Sequence, residues 1–248
     1  MTTAAPASAR VLAQARFEVG TLLRNGEQLL VSLVLPTMVL LGVHLTDAPS
    51  LGPGRRIDVA APGVIALCVM SAAFTSQAIA TGFDRRYAVL RYLGVTPLGR
   101  GGLITAKILA TLVVEAIQIV VLGGLALALG WRPDPVGLPY AVLFVALGTW
   151  AFVSLAMLLA GTLRAEAVLA LANLIWIVLL VAGGVVVPRS QFPGGAETMA
   201  GALPSAALAD GLRAALIDGR LDALAVLVLL AWGTVCSALA ARWFRWSD

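Results

Sequence analysis

Six apolar runs, each close to twenty residues long, set the limits on what this chain can fold into. They lie near residues 28–46, 61–82, 103–129, 138–162, 166–187 and 221–243. About 20 helical residues cross the roughly 30 Å hydrocarbon core of a bilayer. Lipid admits only helices or closed barrels, because every backbone polar group must find its partner within the protein. Of the 248 residues 60% are hydrophobic and 12% charged, and mean hydropathy is +0.96. Soluble domains carry about 25% charged residues, so this composition does not suit a water-soluble core. The sequence predicts an all-α polytopic membrane protein, with residues 1–248 forming a single transmembrane domain of six helices.

Two segments outside the spans have a character of their own. Over 8–24, Val11, Leu12, Ala15, Val19, Leu22 and Leu23 recur at helical spacing, with Arg10, Gln14, Glu18, Thr21 and Arg24 opposite. That pattern predicts an amphipathic helix lying in the membrane interface. Asn25 and Gln28 then form a capping pair for the first span. That span starts near Gln28 with no small-residue cleavage site after it, so it is expected to stay in the protein. Residues 188–220 are moderately apolar but broken by Pro193, Glu197, Pro204, Asp210 and Arg213. Charges at a helix centre cost about 2.5–3.5 kcal/mol each on an insertion scale. Short re-entrant helices over about 190–217 fit better than a seventh span.

The net charge of +4 comes from 16 arginines and the single Lys107 against 13 acids. With the N-terminus inside, eleven of the 17 basic residues fall on the cytoplasmic side and six outside. The positive-inside rule then places both termini in the cytoplasm, and the basic balance needs no nucleic-acid partner. Cys68 and Cys236 sit in apolar runs and His44 is the lone histidine, which argues against a metal centre. There is no H-E-x-x-H, no G-x-S-x-G and no phosphate-binding G-x-x-x-x-G-K-[ST].

Within the spans, Glu115 and Gln118 share a face of the third, three residues apart. They either line a substrate path or make interhelical contacts. Asn173 in the fifth span reads the same two ways, and Trp150 and Trp176 lie deep enough to line a cavity or to pack. Gln77 sits nearer the cytoplasmic end, where polarity is cheap. Lys107 is expected to snorkel to the inner surface.

The loop Phe83–Arg100, FDRRYAVLRYLGVTPLGR, packs four arginines and an aspartate between two spans and ends in Thr96-Pro97. It reads as an amphipathic helix with a defined stop. In DRRYAVLRYLGVTPLGR, the residues Asp84, Arg85, Leu90, Leu93, Thr96 and Pro97 resemble the loop of ABC-2 type permeases, the membrane subunits of type-2 ABC exporters. Arg86 stands where that family more often has an acid, and Ala88 where glycine is common. RNGEQLLVSLVLP (Arg24–Pro36) and LPSAALADGLRAAL (Leu203–Leu216) are similar to the family's approach to the first span and to its proline-containing re-entrant segment. The likeness runs over nearly the whole chain and is closest to drug-efflux permeases.

The resemblance implies a coupling helix over about 84–97, seated in a groove of a separate ATP-binding subunit. Asp84, Arg85, Arg86, Tyr87, Leu90, Arg91, Leu93, Thr96 and Pro97 would form it. Its arginines would meet acidic groove residues, while Tyr87, Leu90 and Leu93 supply an apolar anchor. It further implies two copies of that subunit, which would hold ATP and Mg, and no cofactor on this chain. The permease would pair with itself or a relative in the plasma membrane and export an amphipathic or hydrophobic substrate along Glu115, Gln118, Asn173, Trp176 and Trp150. Two other readings stay open here: a proton-linked secondary transporter using Glu115, and an integral membrane enzyme or assembly factor.

Overall fold

The computed structural model describes residues 5–24, 26–47 and 49–245, with residues 27–31 described by their backbone alone. The Asn25–Gln28 capping pair lies outside the described side chains. Every regular element among the described residues is helical. In chain order these are α1 (Ala7–Arg24), α2 (Gly26–Leu45), α3 (Arg56–Met70), α4 (Gln77–Arg86), α5 (Val89–Gly94) and α6 (Gly99–Ala128). Then follow α7 (Leu138–Thr162), α8 (Ala165–Ala182), α9 (Ala196–Ala200), α10 (Pro204–Asp218) and α11 (Ala223–Trp243). A π-helical turn, Ser71–Ser76, joins α3 to α4 without a break. Such turns are rare and bend the helix that contains them.

Five stretches are long and apolar enough to cross a membrane: Arg56–Arg86, Gly99–Ala128, Pro135–Thr162, Ala165–Ala182 and Ala223–Trp243. The first expected span forms as α2, with Pro36 inside it, but its described apolar part, Ser32–Leu45, is shorter than a span. The helix expected over 8–24 forms as α1, and it packs against α6. Val11 faces the α6 backbone near Gly102, Glu18 reaches Lys107, and Leu22 borders a cavity with Thr111 and Gln118. Both chains advance together, so α1 runs beside α6. The physical reason is charge: the polar face holding Glu18 has a cation to meet on α6, while Leu12 and Leu23 turn outward.

Loops gather at two opposite ends. At one end Arg85 and Arg86 reach Leu163 O and Glu166, Arg100 Nη1 donates to Ala241 O at 2.6 Å, and Arg245 N donates to Gly161 O at 3.0 Å. At the other, Arg55 Nη1 donates to Gly130 O at 3.1 Å and Asp134 N to Leu216 O at 2.9 Å. These groupings match the alternation read from the arginines.

Residues 189–218 form a short 3-10 turn, α9 and α10, none of them a candidate span. Pro204 opens α10 at its first turn and Gly219, with φ +63°, closes it. At about 1.5 Å per residue, its 15 residues rise only ~22 Å. The charges that make a span here costly serve as a clasp instead. Arg213 is buried and donates to Gly184 O at 2.9 Å and Val185 O at 2.6 Å, at the end of α8. Asp210 pairs with Arg189 and lies 3.6 Å from Arg213 Nη1.

α7 is the central post, packed by α11, α10, α4 and α6. Small residues let neighbours approach it. Gly233 on α11 lies under the Trp150 ring, where a Cβ would sit 2.8 Å from ring carbon. At Gly137, just before α7, a Cβ would fall 1.7 Å from Ala215 O of α10. Gly137→Ala is therefore expected to destabilise the fold by about 1–3 kcal/mol or more. Gly124→Ala, which enters open space, should leave thermal unfolding of the detergent-solubilised protein unchanged or raise it. Equal melting of Gly137→Ala and wild type would disprove the close approach.

Candidate functional site

The loop after the second span is not one helix over 84–97. α4 carries the span through Arg86, the chain turns at Tyr87–Ala88, and α5 restarts at Val89. Ala88 has φ +61°, the only positive φ among described non-glycine residues. A left-handed residue with a Cβ costs roughly 1–2 kcal/mol, a cost that glycine would avoid. The break has a cause on each side. Arg85 is buried and donates to Leu163 O, and the exposed Arg86 pairs with Glu166, so α4 ends pinned to the α7–α8 connection. Leu90, 1% exposed, must then drop into the core.

This turn resets the face that looks outward. In a continuous helix Tyr87, Leu90 and Leu93 would share one stripe. Instead Leu90 is buried and Leu93 packs against the core. The exposed apolar surface consists of Tyr87 (69%), Tyr92 (76%), Val95 (85%) and Val89. Arg91 is exposed beside them. Thr96 Oγ1 donates to Leu93 O at 2.7 Å and Pro97 follows, closing the segment before α6.

Lys107 does not snorkel to the surface. It is 1% exposed, with Nζ 3.1 Å from Glu18 Oε2 on α1 and 3.9 Å from Asp84 Oδ2 on α4. Gln14 Nε2 donates to the other Glu18 oxygen at 3.0 Å. One buried ammonium thus ties three helices directly behind the exposed loop. Long Lys side chains near a helix end usually reach water; here two carboxylates lie closer.

The polar residues within the membrane helices fall into separate pairs. Thr149 Oγ1 lies 2.6 Å from Glu115 Oε2, and Glu115 is fully buried. Gln118 Nε2 donates to Ser32 Oγ at 2.9 Å and Gln77 Nε2 to Thr111 Oγ1 at 3.0 Å. These last four residues, with Ser76, line a cavity of about 20 Å³, room for a single water. Trp150 Nε1 donates to Ser237 Oγ at 3.0 Å, and Trp176 Nε1 to Ser71 Oγ at 3.1 Å, at the start of the π turn. Asn173 faces outward on α8 and donates to Leu169 O of its own helix. So the five residues read as a substrate path do not converge on one cavity. The larger hollow, about 790 Å³, is a groove between α6 and α7 walled by Leu112, Ile119, Val120, Leu138, Val142 and Val145.

Residues 9–217 match the sequence model of the ABC-2 type transporter family. The chain belongs to that family. A comparison with curated proteins gives no match. The chain is thus an ABC transporter permease subunit, a multi-pass membrane component of a kind that typically works with an ATP-binding subunit.

The exposed loop lies between α4 and α6. The loop's position is legible in the sequence, but Val89, Tyr92 and Val95 as its outward apolar residues are not, nor is the exposed Phe17 that faces them from α1. The one signal was Ala88 at a glycine-favouring position, which marks a break in helical phase. Gln77 was underweighted because its partner Thr111 comes from a different helix.

Two outcomes follow from this geometry. Ala88→Gly should melt at or above the wild-type temperature, whereas Ala88→Val, β-branched at positive φ, should lose more than about 1 kcal/mol. Lys107→Met should cost about 3 kcal/mol, the low end for breaking a buried pair, because Asp84 is 38% exposed against 14% for Glu18. The triple variant Lys107→Met, Glu18→Gln, Asp84→Asn should recover most of that loss in the same unfolding assay.

Proposed function

We propose that this permease is the membrane half of an ATP-driven exporter for a hydrophobic or amphipathic substrate. It works with two copies of a separate ATP-binding subunit that hold ATP and Mg, and pairs with itself or a related permease in the plasma membrane. Six crossings, with α2 as the first, put the α5 end and both termini in the cytoplasm. The observation that carries this reading is the outward face of α5. Tyr87, Tyr92 and Val95 are at least 69% exposed, and they stand at the end that gathers most of the arginines. That basic end is the cytoplasmic one by the positive-inside rule. Exposed aromatics beside basic residues are typical anchors of a protein interface.

ATP-driven closure of the partner subunits would then move the helices as bodies and switch access to the substrate path. The groove of about 790 Å³ between α6 and α7 supports the substrate class, since its wall is carbon almost throughout. Glu115 does not line the small cavity between Gln77 and Gln118; it is enclosed against Thr149 of α7.

The test is co-isolation. Tagged full-length permease drawn from its native membranes is expected to bring down a protein with a phosphate-loop sequence. Tyr87→Ala with Val95→Ala should weaken that capture roughly tenfold, as loss of an interface anchor does, while thermal unfolding stays as in wild type. Undiminished capture by the double variant would remove the loop from the interface. No ATP-binding protein in the wild-type sample would sink the exporter reading.

A further inference from the structure

The arginines of the loop were expected to seek acids on the partner. The geometry points to the opposite polarity: the groove between α1 and α5 is the seat of a basic side chain, arginine or lysine, presented by the ATP-binding partner. This rests on the permease reading above and names what that partner must offer.

The groove has a volume of about 510 Å³ and is bordered by Gln14, Phe17, Glu18, Asp84, Tyr92 and Leu93. Its charge is set by two carboxylates. Lys107 is the cation that meets them, and at 1% exposure its ammonium lies behind Glu18 and Asp84. One ammonium against two carboxylates leaves a net negative floor facing the opening.

No arginine borders the groove: Arg16 and Arg91 are exposed next to its aromatic walls but outside its lining, and three loop arginines are held by other parts of the bundle. Arg85 goes to Leu163 O, Arg86 to Glu166 and Arg100 to Ala241 O. Arg10 borders the next groove along α1, with Leu93, Thr96 and Pro97.

The walls suit a cation as well as the floor does. Phe17 is 67% and Tyr92 76% exposed, one from each helix. A guanidinium or ammonium over such rings gains a cation–π contact, and arginine can add a fork onto a carboxylate. An anionic headgroup would be repelled by the same floor. A purely apolar segment would bury Asp84 and Glu18 with a single shared counter-charge, which costs more than it returns.

The experiment uses the full-length permease in phosphatidylcholine nanodiscs, with labelled hexa-arginine and hexa-glutamate as probes. Hexa-arginine is expected to bind and hexa-glutamate not to. Tyr92→Ala should weaken binding about threefold, the size of one exposed cation–π contact, and Asp84→Asn should weaken it further. Tyr92 is a surface side chain, so its variant reads the groove with folding intact, checked by thermal unfolding. In parallel, hexa-arginine should displace the ATP-binding subunit from complex isolated from native membranes. Hexa-arginine binding that is unchanged in both variants, or matched by hexa-glutamate, overturns the proposal. If the ATP-binding subunit co-isolates but both variants hold it as wild type does, the groove assignment falls and the permease reading stands. If the peptide binds as expected and no ATP-binding subunit is ever recovered, the ATP-driven exporter reading fails and the cation preference of the groove remains.

Discussion

A buried ammonium cannot stand alone in a low-dielectric interior, and Lys107 organises the whole loop end of this protein because of it. Desolvating the ammonium costs several kcal/mol unless carboxylates replace the lost water. Glu18 and Asp84 do so from two other helices. The consequence is positional. α1, amphipathic by its sequence pattern, is drawn alongside α6. The last turn of α4 is fixed in the same stroke, and the exit direction of the chain into α5 with it.

The far end of the molecule obeys the same rule with different parts. Arg213 reaches the carbonyls of Gly184 and Val185, and Asp210 joins Arg189 to it. Those carbonyls belong to the turn that follows α8, and Ser205 Oγ of α10 donates to Leu179 O in the last turn of α8 itself at 2.8 Å. α10 thus closes α8 while supplying the partner that its own buried charge needs. Between the two charged ends the bundle is held by close packing on α7, with Gly233 and Ser237 of α11 fitted to Trp150. Membrane helices lack a hydrophobic drive to associate with one another, and small residues plus a few polar contacts take its place.

Much of this was legible in the sequence because period and charge are local properties. Helices α6, α7, α8 and α11 lie close to the runs read from hydropathy, and the broken segment before α11 was legible from its prolines and charges. What escaped was tertiary. Lys107 looked like a snorkelling residue because its partners sit 89 positions before it and 23 before it in the chain. The outward face of α5 was misread because a single left-handed residue, Ala88, shifts the helical phase, and periodicity across a break has no meaning. The polar residues within the membrane were found as candidates, but the helices that pair them, Thr149 with Glu115 and Ser32 with Gln118, follow only from packing.

The arrangement at the loop end also decides how force would pass from it. α5 is joined to the bundle through the end of α4, and that end is held in two directions. Arg85 and Arg86 bind it to the α7–α8 connection, while Asp84 joins it through Lys107 to α1 and α6. Packed helices move as bodies and do not stretch, so a displacement of α5 is shared by both sets of contacts at once. Above α4 lies the π turn Ser71–Ser76, tied to α8 by Trp176, where the ordinary helical ladder is interrupted and bending is cheapest. The stiff grip on the loop and the softer joint above it sit in one continuous span. A load applied at α5 thus passes through the turn at Tyr87–Ala88 into a span whose helical register changes once, at Ser71–Ser76.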